Sequence, residues 1–197
     1  MGTRGDSMKS LETKKHPKLW RPIKGDVSRV TFDVGSQRTV YKSFEKTVCG
    51  AKSRKDLFLQ LTEKLDKFFC IHKASYSIFD PEKGFMRVPL VHQDGEPRSG
   101  IMININAGKS LMRSVLETGY IHVEDFPAQT MGNIVERKIL LLDNTNSLAI
   151  IPLISGSERI GTLNFASPAP FAFSTFSSHL FDYLFEAAAR QFASIKL

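Results

Sequence analysis

The sequence predicts an α+β domain over residues 53–197: a central antiparallel sheet with terminal helices packed on one face and loops or short helices over the other. Three observations carry this expectation. Two pairs of segments rich in β-branched and aromatic residues, 73–80 with 85–92 and 147–154 with 159–165, are each joined by a short polar turn, which forces antiparallel pairing. Two segments of helical period, 53–70 and 174–196, bracket the hairpins. Between the hairpins, residues 95–145 hold no long periodic run, so this segment is left to close the second face of the sheet.

The elements follow in order. Ser53 precedes Leu57, Leu61, Leu65, Phe68 and Phe69, one helical stripe with Phe58 and Leu59 beside it. Ser53 has the chemistry of an N-cap, and Asp56 that of an acidic first turn. Asp80, Pro81, Glu82, Lys83 and Gly84 turn the first hairpin; Asp94, Gly95, Glu96 and Pro97 break it, and Ile101–Ile105 is a short apolar run. Leu111, Met112, Val115 and Leu116 form one face of a helix over 108–117, which Gly119 ends as a left-handed cap. Tyr120–Val123 reads as a brief strand and 127–142 as a helix or helical loop. Ser155, Gly156, Ser157 and Glu158 turn the second hairpin, Pro168 and Pro170 terminate it, and Ser174 caps the last helix. Pro152 inside a strand pattern requires an edge or a bulge, and Gly161 in the partner strand suits a close approach by a helix or ligand, or plain packing.

Residues 1–52 read as a basic, partly disordered N-terminal segment. Gly2, Gly5, Pro17, Pro22 and Gly25 punctuate a leader over 1–26, in which Leu19, Trp20 and Ile23 form a small apolar cluster suited to dock on the domain first, or else on a partner or a phosphate backbone. Val27–Val34 alternates as a short strand would, with Gly35 and Ser36 as its turn; 39–47 is ambiguous. Residues 1–55 carry 14 Lys/Arg against 5 Asp/Glu (+9), while 56–197 carry 13 against 15 (−2), so the net charge of +7 belongs to the N-terminal segment. Such asymmetry suits an anionic partner, nucleic acid or lipid, or a solvated tail.

Several classes fall away. No stretch reaches the roughly 20 apolar residues of a membrane helix, and the first residues lack the apolar core of a secretory signal, so a cytoplasmic protein is expected. Two cysteines, Cys49 and Cys70, without a CxxC neighbour, read as free thiols.

Three stretches together resemble the GAF family over roughly residues 53–197. The specific one is Ser147–Ile154, a short turn and Arg159–Ser167, followed by Pro168–Phe173 and a terminal helix. Leu111–Asp125, with Val115, Glu117, Thr118, Gly119 and Val123, resembles the family's helix, Thr-Gly and strand element, and Ser53–Asp80 its opening helix and first strand. The resemblance implies a signalling or regulatory module that binds a small molecule, or a homodimer through helices 53–70 and 174–196 that relays a signal. A chain ending at Leu197 is then a stand-alone adaptor or part of a longer protein. The alternative is a nucleic-acid-associated or transcription-linked regulator using the basic segment, without a helix-turn-helix pattern or RGG run to support it.

The resemblance leaves the ligand open. Asn144-Thr-Asn146 lacks the Lys of the family's cyclic-nucleotide signature. Residues 71–197 contain no Cys, against covalent bilin and against the free methionine sulfoxide reductases of the family. Gly108-Lys109-Ser110 is no phosphate loop, because Ile103 stands where its first Gly belongs, yet Lys109 and Ser110 at a helix N-terminus suit an anion. His122 with Glu124 and Asp125 forms a polar trio near the expected cavity, and His92 ends a strand facing the same loops; surface histidines are the plainer reading, and no metal site or cofactor is assigned. No catalytic constellation is legible. Tyr76 and Ile78 share a strand face with Asp80; Ser75, Ser77 and Phe79 share the other. Thr162 and Asn164 are read on one face with Ile160. The candidate ligand-binding set is Tyr76, Ile78, His92, His122, Ile150, Thr162 and Asn164.

Overall fold

A computed structural model describes residues 34–99, 104–106, 110–127, 132–174 and 178–195. The leader over 1–26, the Trp20 cluster, His16, Lys109 and residues 27–33 of the expected strand lie outside them.

The first helix, α1 (Val34–Gly50), corrects the turn expected at Gly35 and Ser36. A glycine inside a helix costs only about 1 kcal/mol against alanine. Tertiary packing overrides that cost: Phe44 and Val48, four apart, and Ala51 beyond them are buried in the core. Residues read as part of an appendage thus supply core side chains.

Helix α2 (Arg54–Phe69) starts as expected. The Ser53 side chain accepts from the Asp56 N–H at 3.0 Å, and Asp56 Oδ2 accepts from the Lys52 N–H at 3.0 Å, a reciprocal cap. It ends at Cys70, whose left-handed backbone (φ 52°) turns the chain into β1 (Lys73–Asp80). The Asp80–Gly84 turn leads to β2 (Phe85–Gln93). Asp94 and Gly95, both at positive φ, form a two-residue turn into β3 (Glu96–Ser99), so residues read only as a break continue the sheet. Next come β4 (Asn104–Asn106), α3 (Leu111–Thr118) with Gly119 as its left-handed cap, β5 (His122–Asp125) and α4 (Ile134–Leu140). Strands β6 (Ser147–Ser155) and β7 (Glu158–Ser167) form the second hairpin. The final helix is described over α5 (Ser178–Ser194); the Ser174 hydroxyl, read as its cap, donates to the Phe171 carbonyl at 3.0 Å.

The two hairpins merge through β1 and β7, giving the antiparallel order β3-β2-β1-β7-β6-β5, with β4 also paired to β2. Helices α1, α2 and α5 cover one face. Leu57, Leu61 and Leu65 of α2 and Ala188 and Phe192 of α5 bury against Tyr76, Ile151, Leu163 and Phe165. Each buried Leu, Ile or Phe among them contributes about 1.5–3 kcal/mol. The second face packs Met86, Val88, Leu148, Ile150 and Ala166 against Ile105, against Met112 and Val115 of α3, and against Ile139 and Leu140 of α4. Pro152 stands beyond Ile150, where the β5 ladder ends, and so meets the edge requirement. Ile160 is the extra residue of a bulge between Leu153 and Ile154, which sends it into the helix-side core and not onto the face of Thr162 and Asn164.

Candidate functional site

The second face is apolar on its flanks and polar at its centre. Alternation along β1 and β7 places Ser75, Ser77, Thr162 and Asn164 there, each at least 98% buried. The register pairs Ser77 with Thr162 and Ser75 with Asn164. Ser77 Oγ and Thr162 Oγ1 share a 2.6 Å hydrogen bond, and Asn164 Nδ2 donates to Ser75 Oγ at 3.0 Å and to the Ser75 carbonyl at 3.3 Å. Met112 of α3 lies directly over the patch: Ser77 Oγ is 3.1 Å and Asn164 Nδ2 3.5 Å from its sulfur. A backbone carbonyl only accepts, which fixes the orientation of the Asn164 amide. The other branch, Asn164 Oδ1, is buried without a hydrogen-bond partner. An orphaned buried acceptor costs about 1–3 kcal/mol, so its retention asks for a reason.

Gly161 lets the two central strands meet at this point. A Cβ there would collide with the Ser77 carbonyl oxygen. The close approach expected at Gly161 is therefore that of the neighbouring strand's backbone.

The α3 N-terminus borders the patch. Ser110 is its N-cap, as an anion site there requires, but the anion is the chain's own: the fully buried Glu136 of α4. Glu136 Oε1 accepts from Ser110 Oγ and the Met112 N–H, and Oε2 from the Leu111 N–H, all at 2.8 Å. Hydrogen bonds to a charged group are worth about 1.5–3 kcal/mol each, and the helix dipole adds to them. Gly132 leaves room for that carboxylate, because a Cβ there would collide with Oε2. At the other end of α4, the Lys73 ammonium donates to the Lys138 carbonyl at 2.8 Å and the Leu141 carbonyl at 3.1 Å. Burial, with Arg98 adding, holds the Lys73 pKa below its usual value, against the pull of Asp94. The short cover helix is thus clamped at both ends. Sequence reasoning missed Glu136. The pattern Asn133-x-x-Glu136 reads as a capping box, and Asn133 does accept from the Glu136 N–H at 2.9 Å; the Glu side chain reaches across to α3 instead of back to its own cap.

Of the seven candidate residues, the structure brings Ile150, Thr162 and Asn164 together on the second face, with His122 opposite Ile150 at the β5 edge. Tyr76 and Ile78 face the helices; Tyr76 stacks on Phe192 at 4.7 Å, with Arg54 donating to its hydroxyl at 3.4 Å. Burial raises the Tyr76 pKa and the Arg54 charge opposes the rise. His92 pairs with Ala74 on that same helix side, so it does not face the loops around His122; three strands separate the two. The polar trio also divides. His122 Nε2 meets Glu124 Oε2 at 3.1 Å, while Asp125 Oδ1 accepts from Ser147 Oγ at 2.9 Å and the Phe171 N–H at 3.1 Å. Among the described residues no three His, Cys, Asp or Glu side chains are placed to hold a metal ion. Cys49 and Cys70, both free and exposed, belong to the helix side. Ser75 and Ser77 belong to the patch but not to the predicted set; the alternation of β1 placed them together, and only the choice of face was missing.

No protein-family model matches the sequence, and no curated protein sequence matches it. Solved structures do match. The GAF domain of a two-component sensor histidine kinase from Bacillus halodurans is 20% identical and superposes with a TM-score of 0.57 over 73% of this chain and 95% of its own. The GAF domain of a phosphoenolpyruvate-protein phosphotransferase from Coxiella burnetii gives 14% identity and a TM-score of 0.60 over 82% and 94%. A free methionine-R-sulfoxide reductase from Neisseria meningitidis, in complex with its substrate, gives 15% and 0.63 over 83% and 92%. These likenesses establish the fold: an α+β domain of GAF type.

Proposed function

We propose that this GAF-type fold serves as a cytoplasmic regulatory module that binds a small molecule between the second face of the sheet and its cover, and that it is not an enzyme. The observation that carries the reading is the buried polar patch of Ser75, Ser77, Thr162 and Asn164 under Met112, with the Asn164 Oδ1 acceptor left unpartnered. A core built for stability alone would place apolar residues there, as the helix side of the same strands does. Both cysteines lie away from this face, which disfavours thiol chemistry in it. Native mass spectrometry of freshly purified protein, with thermal shift against a small-metabolite panel, tests the reading. We expect a bound or stabilising compound whose effect is lost in Asn164→Leu. A panel without effect, together with an empty protein, would reject it.

Relay through a homodimer is the second part of the proposal, and the exposed aromatics Phe68 of α2 and Tyr183 of α5 support it. Helix α1 packs against both α2 and α5, so the contact would use the outer surface of a three-helix layer. Light scattering should give a dimer that Phe68→Glu with Tyr183→Glu dissociates without unfolding. A salt-dependent mobility shift with DNA or RNA, abolished by deleting residues 1–26, would instead favour the nucleic-acid-linked alternative.

A further inference from the structure

The small-molecule reading leaves the chemical class of the ligand open, and two independent features of the same site narrow it. The first is the occupied end of α3. Helix N-termini facing a cavity attract anions, because unpaired N–H groups and the helix dipole both point there. In this chain the N–H groups of Leu111 and Met112, together with the Ser110 hydroxyl, are already satisfied by the Glu136 carboxylate. That carboxylate is fully buried on α3, and its helix α4 is held at the other end by Lys73 through the Lys138 and Leu141 carbonyls. A tethered group acts at an effective concentration on the order of millimolar or above, so an external anion must outcompete it at that level. An anion on the patch would in addition stand close to the Glu136 charge, with little water to screen the repulsion.

The second feature is the unpartnered oxygen. Asn164 Oδ1 lies in a residue only 2% exposed, and its amide is oriented by the Ser75 carbonyl and the Met112 sulfur, both acceptors. What it lacks is a donor. Ser77 and Thr162 bond to each other, Ser75 Oγ and Ser77 Oγ accept from the Asn164 Nδ2, and none of the three hydroxyls reaches Oδ1. A group that completes this set brings an N–H or O–H to Oδ1, and the apolar flanks of the face fit an apolar body attached to it.

We propose that the site takes an uncharged ligand that donates a hydrogen bond to Asn164 Oδ1, and that Glu136 acts as a built-in anion that denies the α3 N-terminus to anionic ligands. This rests on the small-molecule reading above and adds the ligand's charge and hydrogen-bonding sense. Entry of such a ligand displaces Met112 from the patch, a change an unbranched side chain accommodates readily.

A pair of probes differing only in charge tests it: benzamide, a neutral N–H donor, and benzoate, its isosteric anion. Each is titrated into uniformly 15N-labelled protein. In the wild type, benzamide should shift amide signals of β1 and β7 around Ser77 and Asn164, and benzoate should not. Asn164→Leu should lose the benzamide response. Glu136→Ala should gain a benzoate response at the Leu111 and Met112 amides, with a rise in melting temperature on adding benzoate that the wild type does not show. Benzoate perturbing the wild-type patch as strongly as benzamide would overturn the proposal while upholding small-molecule binding. Neither probe acting on the wild type, while Glu136→Ala gains benzoate, would overturn this inference and leave small-molecule binding to be decided by the metabolite panel above. Should Glu136→Ala not fold, the wild type and Asn164→Leu still decide the matter on the benzamide response alone.

Discussion

The two faces of one sheet are built by different rules. On the helix side, strand residues such as Tyr76, Leu163 and Phe165 interlock with α2 and α5; the Tyr76 hydroxyl is met by Arg54, while His92 of β2, nearer the sheet edge, keeps a buried Nδ1 without a partner. On the second face, one residue away along the same strands, β1 and β7 present hydroxyls and an amide to a short cover helix that is itself anchored by a buried carboxylate. Strand alternation makes this division possible, because a packed apolar face and a polar patch use odd and even positions of the same backbone without competing for them. Substitutions should therefore be costly on the helix side and nearly silent in the polar patch.

Breaking the helix side should have the largest effect. Phe192, fully buried against Tyr76, becomes a cavity in Phe192→Ala, and we expect a loss of about 3–5 kcal/mol in chemical denaturation at unchanged slope. A loss under about 1 kcal/mol would mean that the three-helix layer is not the stability core. The seam between the strands comes next. Gly161→Ala drives a Cβ into the Ser77 carbonyl, a backbone atom that cannot step aside, so a loss at or above the upper end of the ~1–3 kcal/mol range for overpacking is expected by the same measurement.

The polar patch should be the quiet region. Ser77 and Thr162 hydrogen-bond chiefly to each other, and removing both partners together leaves no orphan. The double substitution Ser77→Ala with Thr162→Val should therefore shift stability by less than about 1 kcal/mol while weakening any stabilisation by a bound small molecule. A large loss of stability without a change in ligand response would show the patch to be structural and blur the contrast between the faces.

Much of this contrast was legible in the sequence. The hairpins declare themselves through their turns, and the capping residues Ser53 and Gly119 fix two helix ends through local chemistry alone. The polar pair Thr162 and Asn164 stood out in an apolar strand. What the sequence withheld depends on contacts between distant residues. The helix at 34–50 is stabilised by packing of Phe44 and Val48 and not by local propensity. The choice between Tyr76 and Ser77 as the face toward the site turns on which side the helices take, and a period of two cannot supply that. The bulge that diverts Ile160 breaks the alternation used to read its face. Glu136 went unread, because the Asn133-x-x-Glu136 spacing is that of a local cap, while its carboxylate serves another helix.

The smallest effect concerns the far end of the cover. His72, at the start of β1, joins Thr145 in the connection between α4 and β6 through a 2.9 Å contact at Nε2, while its Nδ1 is buried without a partner. Burial depresses its pKa below the ordinary 6.5, with Lys73 helping and Asp94 opposing. The native state then holds fewer protons than the unfolded chain between the depressed value and 6.5, so stability rises with pH across that interval and is level above it. Acidification from pH 7 through 6.5 should lower the melting temperature, and His72→Gln, which keeps a polar contact to Thr145 but cannot ionise, should flatten that part of the profile. Because His72 ties the sheet to the connection that follows α4, the flattening should appear more strongly in hydrogen exchange of α4 than in that of α2 and α5. An equal change in both layers would mean that the cover and the helix side unfold as one unit, and the division of the sheet into a stabilising and a recognising face would then have no dynamic counterpart.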